Sequence, residues 1–250
     1  MISTLTVASR KGGTCKTTTS VHVAGCLARQ GKRVLLVDLD GQGNASEWLL
    51  DEAPKGALSQ ALVENLPLDA LVCKSVEQGV DVIPADDALD MLDRQMTGMW
   101  GAEKRLKRLL GELEYDTIIF DCPAAFDLRT VSALLASKWV MVPTEVSALA
   151  LGGLMQFIPK VLHFQDEDFN PQLQLLGVLL CRAKKQTILH RDVRALLTEH
   201  LGERLMEAEV RESIRYRECP SHHELMMDYA PELGRDYESV TQELLQRASQ

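Results

Sequence analysis

The 250-residue sequence has no C-x-x-C pair, although it contains six cysteines, at positions 15, 26, 73, 122, 181 and 219. That spacing offers neither a disulfide framework nor a zinc site, and reduced thiols in cytosol are the simplest reading. Positive charge is also in deficit, with a formal net charge of −9. A generally adhesive nucleic-acid binder is thereby excluded, and any contact with DNA or a membrane surface has to come from a local patch. No apolar run approaches the length of a bilayer span; Val131 to Val142 comes nearest and is interrupted by Lys138. A strand pattern begins at residue 2 with no basic segment ahead of it, so no secretory signal is expected. Internal repeats and low-complexity linkers are missing as well.

A hydrophobic content of 46% is ample for a buried core. Short apolar runs alternate with helix-patterned segments. Strands are expected at Ile2–Ala8, Val34–Val37, Val80–Pro84, Thr117–Phe120, Trp139–Pro143 and Leu175–Leu180. Helices are expected at Thr18–Gln30, Leu58–Val63, Leu66–Lys74, Asp87–Arg94, Ala102–Glu112, Arg129–Ala136, Leu149–Phe164, Ile188–Leu201 and Tyr237–Ala248. This alternation predicts an α/β fold with a doubly wound, mainly parallel sheet, helices on both faces, and one domain over residues 1–250.

The stretch Ser9 to Thr18 follows the first strand and opens the first helix, the context a phosphate-binding loop requires. Gly12 and Gly13 allow a tight turn that aims backbone N–H groups and a helix N-terminus at anionic oxygens. Lys16 supplies charge to β/γ-phosphates, and the Thr17 hydroxyl is placed to ligate Mg²⁺. Lys11 is an additional lysine at the start of the loop. Asp38 and Asp40 stand at the C-terminal end of the second strand and Asp121 at the end of another, where open α/β sheets place ligands. One such carboxylate can hold Mg²⁺ through water and another can orient an attacking water. With these carboxylates present, two solvated lysines in a glycine-rich turn is the poorer account of Lys11 and Lys16.

Lys11-Gly12-Gly13-Thr14-Cys15-Lys16-Thr17-Thr18 resembles the deviant Walker A motif, K-G-G-x-G-K-T-T, of the ParA/MinD family of ATPases. Asp38-Leu39-Asp40-Gly41-Gln42-Gly43-Asn44 resembles the family's D-x-D-P-Q-x-N, and Asp121-Cys122-Pro123 its Walker B. Pro143-Thr144-Glu145 with Gly152-Gly153-Leu154, and Ile214 to Ser221, resemble later motifs in the same order. The resemblance implies that residues 11–18 bind ATP, that Lys11 reaches across an ATP-bound dimer, and that Asp40 orients the hydrolytic water. It further implies that Thr17 and Asp121 hold Mg²⁺ with Asp38 nearby, and that Cys181 and Arg211 fall at the purine pocket. Asp38 is open to a purely structural role at the strand end. Cys15 replaces glycine, Gly41 and Ala124 replace prolines, and Cys15 could be either a redox-sensitive thiol or a tolerated substitution. His222-His223 reads as loop and Met226-Met227 as packing.

Five basic residues, Arg182, Lys184, Lys185, Arg191 and Arg194, face one acid, Asp192, over residues 182–194, and Arg211, Arg215 and Arg217 add a second cluster. By resemblance to ParA-type proteins, Lys184, Lys185, Arg191, Arg215 and Arg217 are candidate contacts for non-specific DNA; the alternative is an ordinary solvated helix face. The leading expectation is a slow, partner-stimulated ATPase that dimerises on ATP, binds DNA and positions or segregates cargo with a ParB-like or other adaptor protein. It would be cytoplasmic, associated with the nucleoid when ATP-bound, and without stable membrane association. Alternatives are a MinD-like membrane-surface ATPase, which needs a basic amphipathic C-terminal helix, a cysteine-ligated iron–sulfur carrier, and a weakly binding scaffold. No N-terminal helix-turn-helix extension is expected.

Overall fold

The computed structural model describes residues 2–52, 57–111, 113–147, 150–166 and 168–250. Among these, eight strands form one sheet: β1 Thr4–Val7, β2 Val34–Asp38, β3 Cys73–Lys74, β4 Val80–Ile83, β5 Thr117–Asp121, β6 Trp139–Glu145, β7 Gln174–Ala183 and β8 Leu205–Arg211. Their order across the sheet is β3-β4-β2-β5-β1-β6-β7-β8. Every neighbouring pair is parallel except β3 with β4. The expected fold class is therefore the observed one.

Both faces of the sheet are covered, which is why its strands read as continuous apolar runs. Alternate residues feed two separate cores. Leu35, Val37, Ile118, Phe120, Val140 and Val142 enter one, with α3 Leu58–Glu64, α5 Arg105–Leu110, α6 Leu128–Ala136, α7 Ala150–His163 and α8 Ile188–Leu201. Val34, Leu36, Ile119, Trp139 and Met141 enter the other, with α1 Lys16–Arg29, α2 Asn44–Leu49, α10 Met226–Tyr229 and α11 Pro231–Arg247. Two further short helices, α4 Leu92–Gln95 and α9 Arg215–Glu218, complete the set. Asp127 caps α6 by accepting from the Arg129 and Thr130 amides, and Thr187 caps α8 by accepting from the His190 amide.

Several boundaries differ from expectation. The helix expected over Leu66–Lys74 is a 3₁₀ turn, Asp69–Leu71, followed by β3. Pairing with β4 overrides local propensity there, and Lys74 reaches Asp81 at 2.9 Å. The segment Asp87–Arg94 is likewise a 3₁₀ turn, Asp87–Met91, leading into α4. The sequence pattern misses β8 because Glu207, Glu209 and Arg211 dilute its apolar character, as suits a strand on the sheet edge. It also starts α11 late; Pro231, favoured in a first helical turn, opens it. α7 runs through Pro159 without a break. Glu112 and Leu149, the expected end of one helix and start of another, lie outside the described residues.

Candidate nucleotide site

The C-terminal ends of β1, β2 and β5 converge where the chain leaves β1 for α1, a position at which open parallel sheets bind ligands. A cleft of about 720 Å³ opens there, walled by Gly12, Gly13, Cys15, Lys16, Thr17 and Thr18 with Asp40 opposite. Gly13 has φ +76°, a conformation that glycine adopts freely. A side chain at Gly12 would meet nothing within 4 Å, so the loop leaves open space above its backbone. Thr14 ties the loop together, its hydroxyl donating to the Lys11 carbonyl at 3.1 Å.

Lys16, nearly buried, donates to the Lys11 carbonyl at 3.3 Å and points across the loop. Lys11 lies at the rim with 52% of its side chain exposed and forms an ion pair with Glu145. Arg182 approaches the other oxygen of Glu145 at 3.8 Å, so one carboxylate on β6 draws two cations over the loop. Arg182 itself has φ +55°, unusual for a side chain of that size, and it borders the cleft.

The strand-end carboxylates divide into two kinds. Asp121 is fully buried and accepts from the Thr17 hydroxyl at 2.7 Å and from the Ser20 hydroxyl at 2.8 Å. Burial and then the neighbouring Asp38 charge push its carboxyl up to about 7. Asp38, the register partner of Asp121, is also fully buried. It accepts from the Asp40 amide at 3.1 Å, the Ser46 amide at 2.9 Å and the Ser46 hydroxyl at 2.8 Å, and burial raises it to about 6. Its oxygens anchor the turn to α2, and Asp38 is not among the residues that wall the cleft. Asp40 is half-buried and faces the cleft, with Oδ1 accepting from the Gln42 amide at 3.2 Å.

Cys15 occupies the N-cap of α1 at φ +66°, the left-handed region. This explains why glycine suits the position, since a Cβ there is disfavoured by about 1–2 kcal/mol. Its thiol is lowered to about 7 by the neighbouring Cys181 thiol and by Arg182, against the effect of burial. Cys181, expected at the purine pocket, is fully buried and is not among the residues that wall these two clefts. A second cleft of about 340 Å³ adjoins the first, sharing Cys15, Thr18, Arg182 and Tyr216. Arg211 does border this one, held by Asp236 at 2.9 Å. Ser20, Ser46 and Arg182 are the site's contributions that the motifs did not disclose, and Glu145, though part of a quoted motif, was given no role there. Only strand register and the first turn of α1 could have pointed to Ser20, four residues after Lys16.

A family model described as an AAA domain matches residues 2–175. The chain is 36% identical to the sporulation initiation inhibitor protein Soj of Bacillus subtilis, over 91% of each sequence. It is 34% identical to the chromosome-partitioning ATPase Soj of Thermus thermophilus, over 91% of this chain and 88% of that one. The chain belongs to the ParA/MinD family of P-loop ATPases. Among solved structures, a cobyrinic acid a,c-diamide synthase from Mycobacterium smegmatis with bound ADP and magnesium superimposes with a TM-score of 0.79 at 30% identity. That match covers 92% of this chain and 97% of the other.

The membership fits the phosphate loop better than it fits the basic clusters. The excess of positive charge over residues 182–194 is offset by acids on β8 and just after it. Lys184 pairs with Glu212 at 2.6 Å, Lys185 approaches Glu209 at 3.7 Å, and Arg194 holds both Glu207 and Glu209. Arg191 pairs with Asp192 at 3.3 Å and Arg215 with Glu232 at 3.0 Å. Arg217 is exposed and has no ion pair among the described residues. Most of these cations thus have an acidic partner in the fold, several of them from segments far from residues 182–194 in sequence. Among the described residues no group of three His, Cys, Asp or Glu side chains could hold a metal by itself, and no helix is long and apolar enough to cross a membrane.

Proposed function

We propose that this protein is a ParA-like ATPase that binds ATP with Mg²⁺, dimerises on it, and positions or segregates cargo. The gathering of Gly12, Gly13, Lys16, Thr17 and Asp40 around one cleft at the strand ends carries the reading. The chemistry of the donors fits the absent groups: open space above Gly12, a lysine ammonium, and a hydroxyl at 2.7 Å from a buried carboxylate. The loop amides and Lys16 would bind the phosphates, and Thr17 with Asp121 would hold the metal. Bound Mg²⁺ would neutralise charge on the phosphate oxygens. The adjoining cleft with Tyr216 and Arg211 would take the base.

Asp40 would orient the attacking water, being a half-exposed cleft carboxylate that stands just past the end of β2. Lys11 would leave Glu145 to reach a second protomer's phosphates, making dimerisation depend on unhydrolysed nucleotide. Hydrolysis would be slow until an adaptor protein completes the site. Relatives named for chromosome partitioning support cargo such as DNA, and Lys184, Lys185, Arg191, Arg215 and Arg217 remain the proposed DNA contacts, which would bring the ATP form to the nucleoid. A scaffold role with weak nucleotide binding is a second reading, favoured by the strained Cys15. A MinD-like membrane mode has less support, since α11 spends Tyr237, Val240 and Leu244 on the core.

Two variants test the reading. Lys16→Ala should abolish ATP binding in calorimetric titration. Asp40→Ala should bind ATP, elute as a dimer and turn over less than a hundredth as fast as the parent; parental turnover would reject its role.

A further inference from the structure

We propose that Asp90 and Arg129 form a strut that positions Asp40, acting through the backbone of Gly41. The consequence for hydrolysis rests on the proposed role of Asp40; the strut itself stands on its own contacts. Gly41 follows Asp40 directly and is buried. It lies outside the left-handed region of φ, so its missing side chain supplies room and not backbone freedom. A Cβ there would come within 2.7 Å of Asp90 Oδ1, 2.8 Å of its Cγ and 3.1 Å of its Oδ2. The Asp90 carboxylate therefore occupies the space that an alanine, or the proline of D-x-D-P-Q-x-N, would fill.

With 49% of its side chain exposed, Asp90 would ordinarily be free to swing aside. Arg129 holds it in place. Arg129 is buried at the start of α6, and its Nη1 donates to Asp90 Oδ1 at 2.5 Å. Its Nε and Nη2 donate to Asp127 Oδ2 at 3.0 and 2.6 Å, and Asp127 is itself the cap of α6. A planar guanidinium gripped on two edges has one orientation to offer Asp90. Two further bonds run alongside. Asp93 Oδ1 accepts from the Leu128 amide at 3.0 Å, and the Ala85 amide donates at 3.0 Å to the Ser46 hydroxyl that anchors Asp38. Residues 85–93 thus join α6, which follows Asp121, to the turn that carries Asp40. That turn aims the Asp40 carboxylate: Oδ1 accepts from the Gln42 amide, and the Gly43 amide donates to the Asp40 carbonyl at 2.8 Å. A shift of Gly41 would carry Gln42 with it and re-aim the carboxylate. Misplacement by about 1 Å can cost a reaction on the order of a hundredfold. Neither Asp90 nor Arg129 is among the residues that wall the cleft, so both are positioning residues.

The experiment measures phosphate release and ATP affinity of the whole protein with Mg²⁺. It compares the parent with Asp90→Ala, Asp90→Asn, Gly41→Ala, and Asp90→Ala combined with Gly41→Ala. Asp90→Ala should lower kcat about tenfold while KM and ATP affinity stay within about twofold of the parent. Asp90→Asn keeps an oxygen for Arg129 and the same volume against Gly41, so it should retain most of the turnover. Gly41→Ala should slow turnover as Asp90→Ala does, by driving the carboxylate off Arg129. The two losses should not compound, because an alanine at position 41 fits once Asp90 is truncated; the combined variant should be no slower than either single one. Thermal unfolding of the same proteins should show the same non-additivity in stability. Parental kcat in Asp90→Ala, a loss of ATP affinity equal to the loss of turnover, or effects that multiply in the combined variant would each overturn the proposal. Parental turnover in Asp40→Ala would instead sink the role of Asp40, while the stability comparison would still report on the strut.

Discussion

His22 has no place in any motif, yet it joins the first helix to the C-terminal part of the chain. Its Nδ1 lies 2.6 Å from the Thr18 carbonyl, and its Nε2 lies 3.0 Å from the Met226 amide. The carbonyl can only accept and the amide can only donate, so the ring is neutral with the proton on Nδ1. It stacks on Tyr237 with centroids 4.5 Å apart and is fully buried. Burial lowers it from 6.5 to about 4. The unfolded chain therefore binds the extra proton first, and stability present above pH 6.5 drains away as pH falls toward 4. That window is worth about 3 kcal/mol. Asp38 and Asp121, raised by burial, act with the opposite sign, losing stability as pH rises toward 7. Urea unfolding at pH 7 and pH 5 should show a larger acid loss in the parent than in His22→Gln, which should be less stable at pH 7. An identical pH slope in both would acquit His22. The motif residues Gly12, Lys16, Thr17, Asp40 and Asp121 were legible because each sits on local sequence beside a strand end. His22, Ser20 and the pairing of the motif residue Glu145 with Lys11 were not, since the partners lie 204, 101 and 134 residues away.

At the scale of elements, the strands buried on both faces announced themselves, and the edges did not. β8 hides behind its charges and β3 behind two residues. The same contrast governs where a helix tolerates change. Gly234, in α11, sits against α10 so closely that a Cβ would come within 2.6 Å of the Met227 Cα. Backbone cannot step aside as a side-chain tip can, so Gly234→Ala should cost about 1–3 kcal/mol of stability by overpacking. Gly153, in α7, has nothing within 4 Å of such a Cβ. Gly153→Ala should therefore stabilise by about 0.4–1 kcal/mol, since alanine restricts the unfolded chain and suits a helix. Thermal unfolding of the two variants checks both signs at once. A stable Gly234→Ala would mean that α11 can shift on the sheet.

Over the whole molecule, charge decides what the fold can do with DNA. A chain of net charge −9 must concentrate its cations, and most of those on α8, α9 and the turn before α8 are already paired with acids of its own. Phosphate contacts would have to compete with those carboxylates, so the proposed DNA binding would be weak and strongly salt-dependent. Arg217, exposed and without an ion pair among the described residues, can meet a phosphate at no such cost. Arg217→Ala should weaken ATP-dependent DNA binding alike on any sequence and reduce the slope of log affinity against log salt by about 1 for each phosphate left unneutralised. Glu212→Gln should do the reverse, because it frees Lys184, now paired at 2.6 Å. Affinities of the parent and both variants for one duplex at about 50 and 200 mM salt distinguish this account from a solvated face. If α8 and α9 are such a face, neither substitution will move the slope.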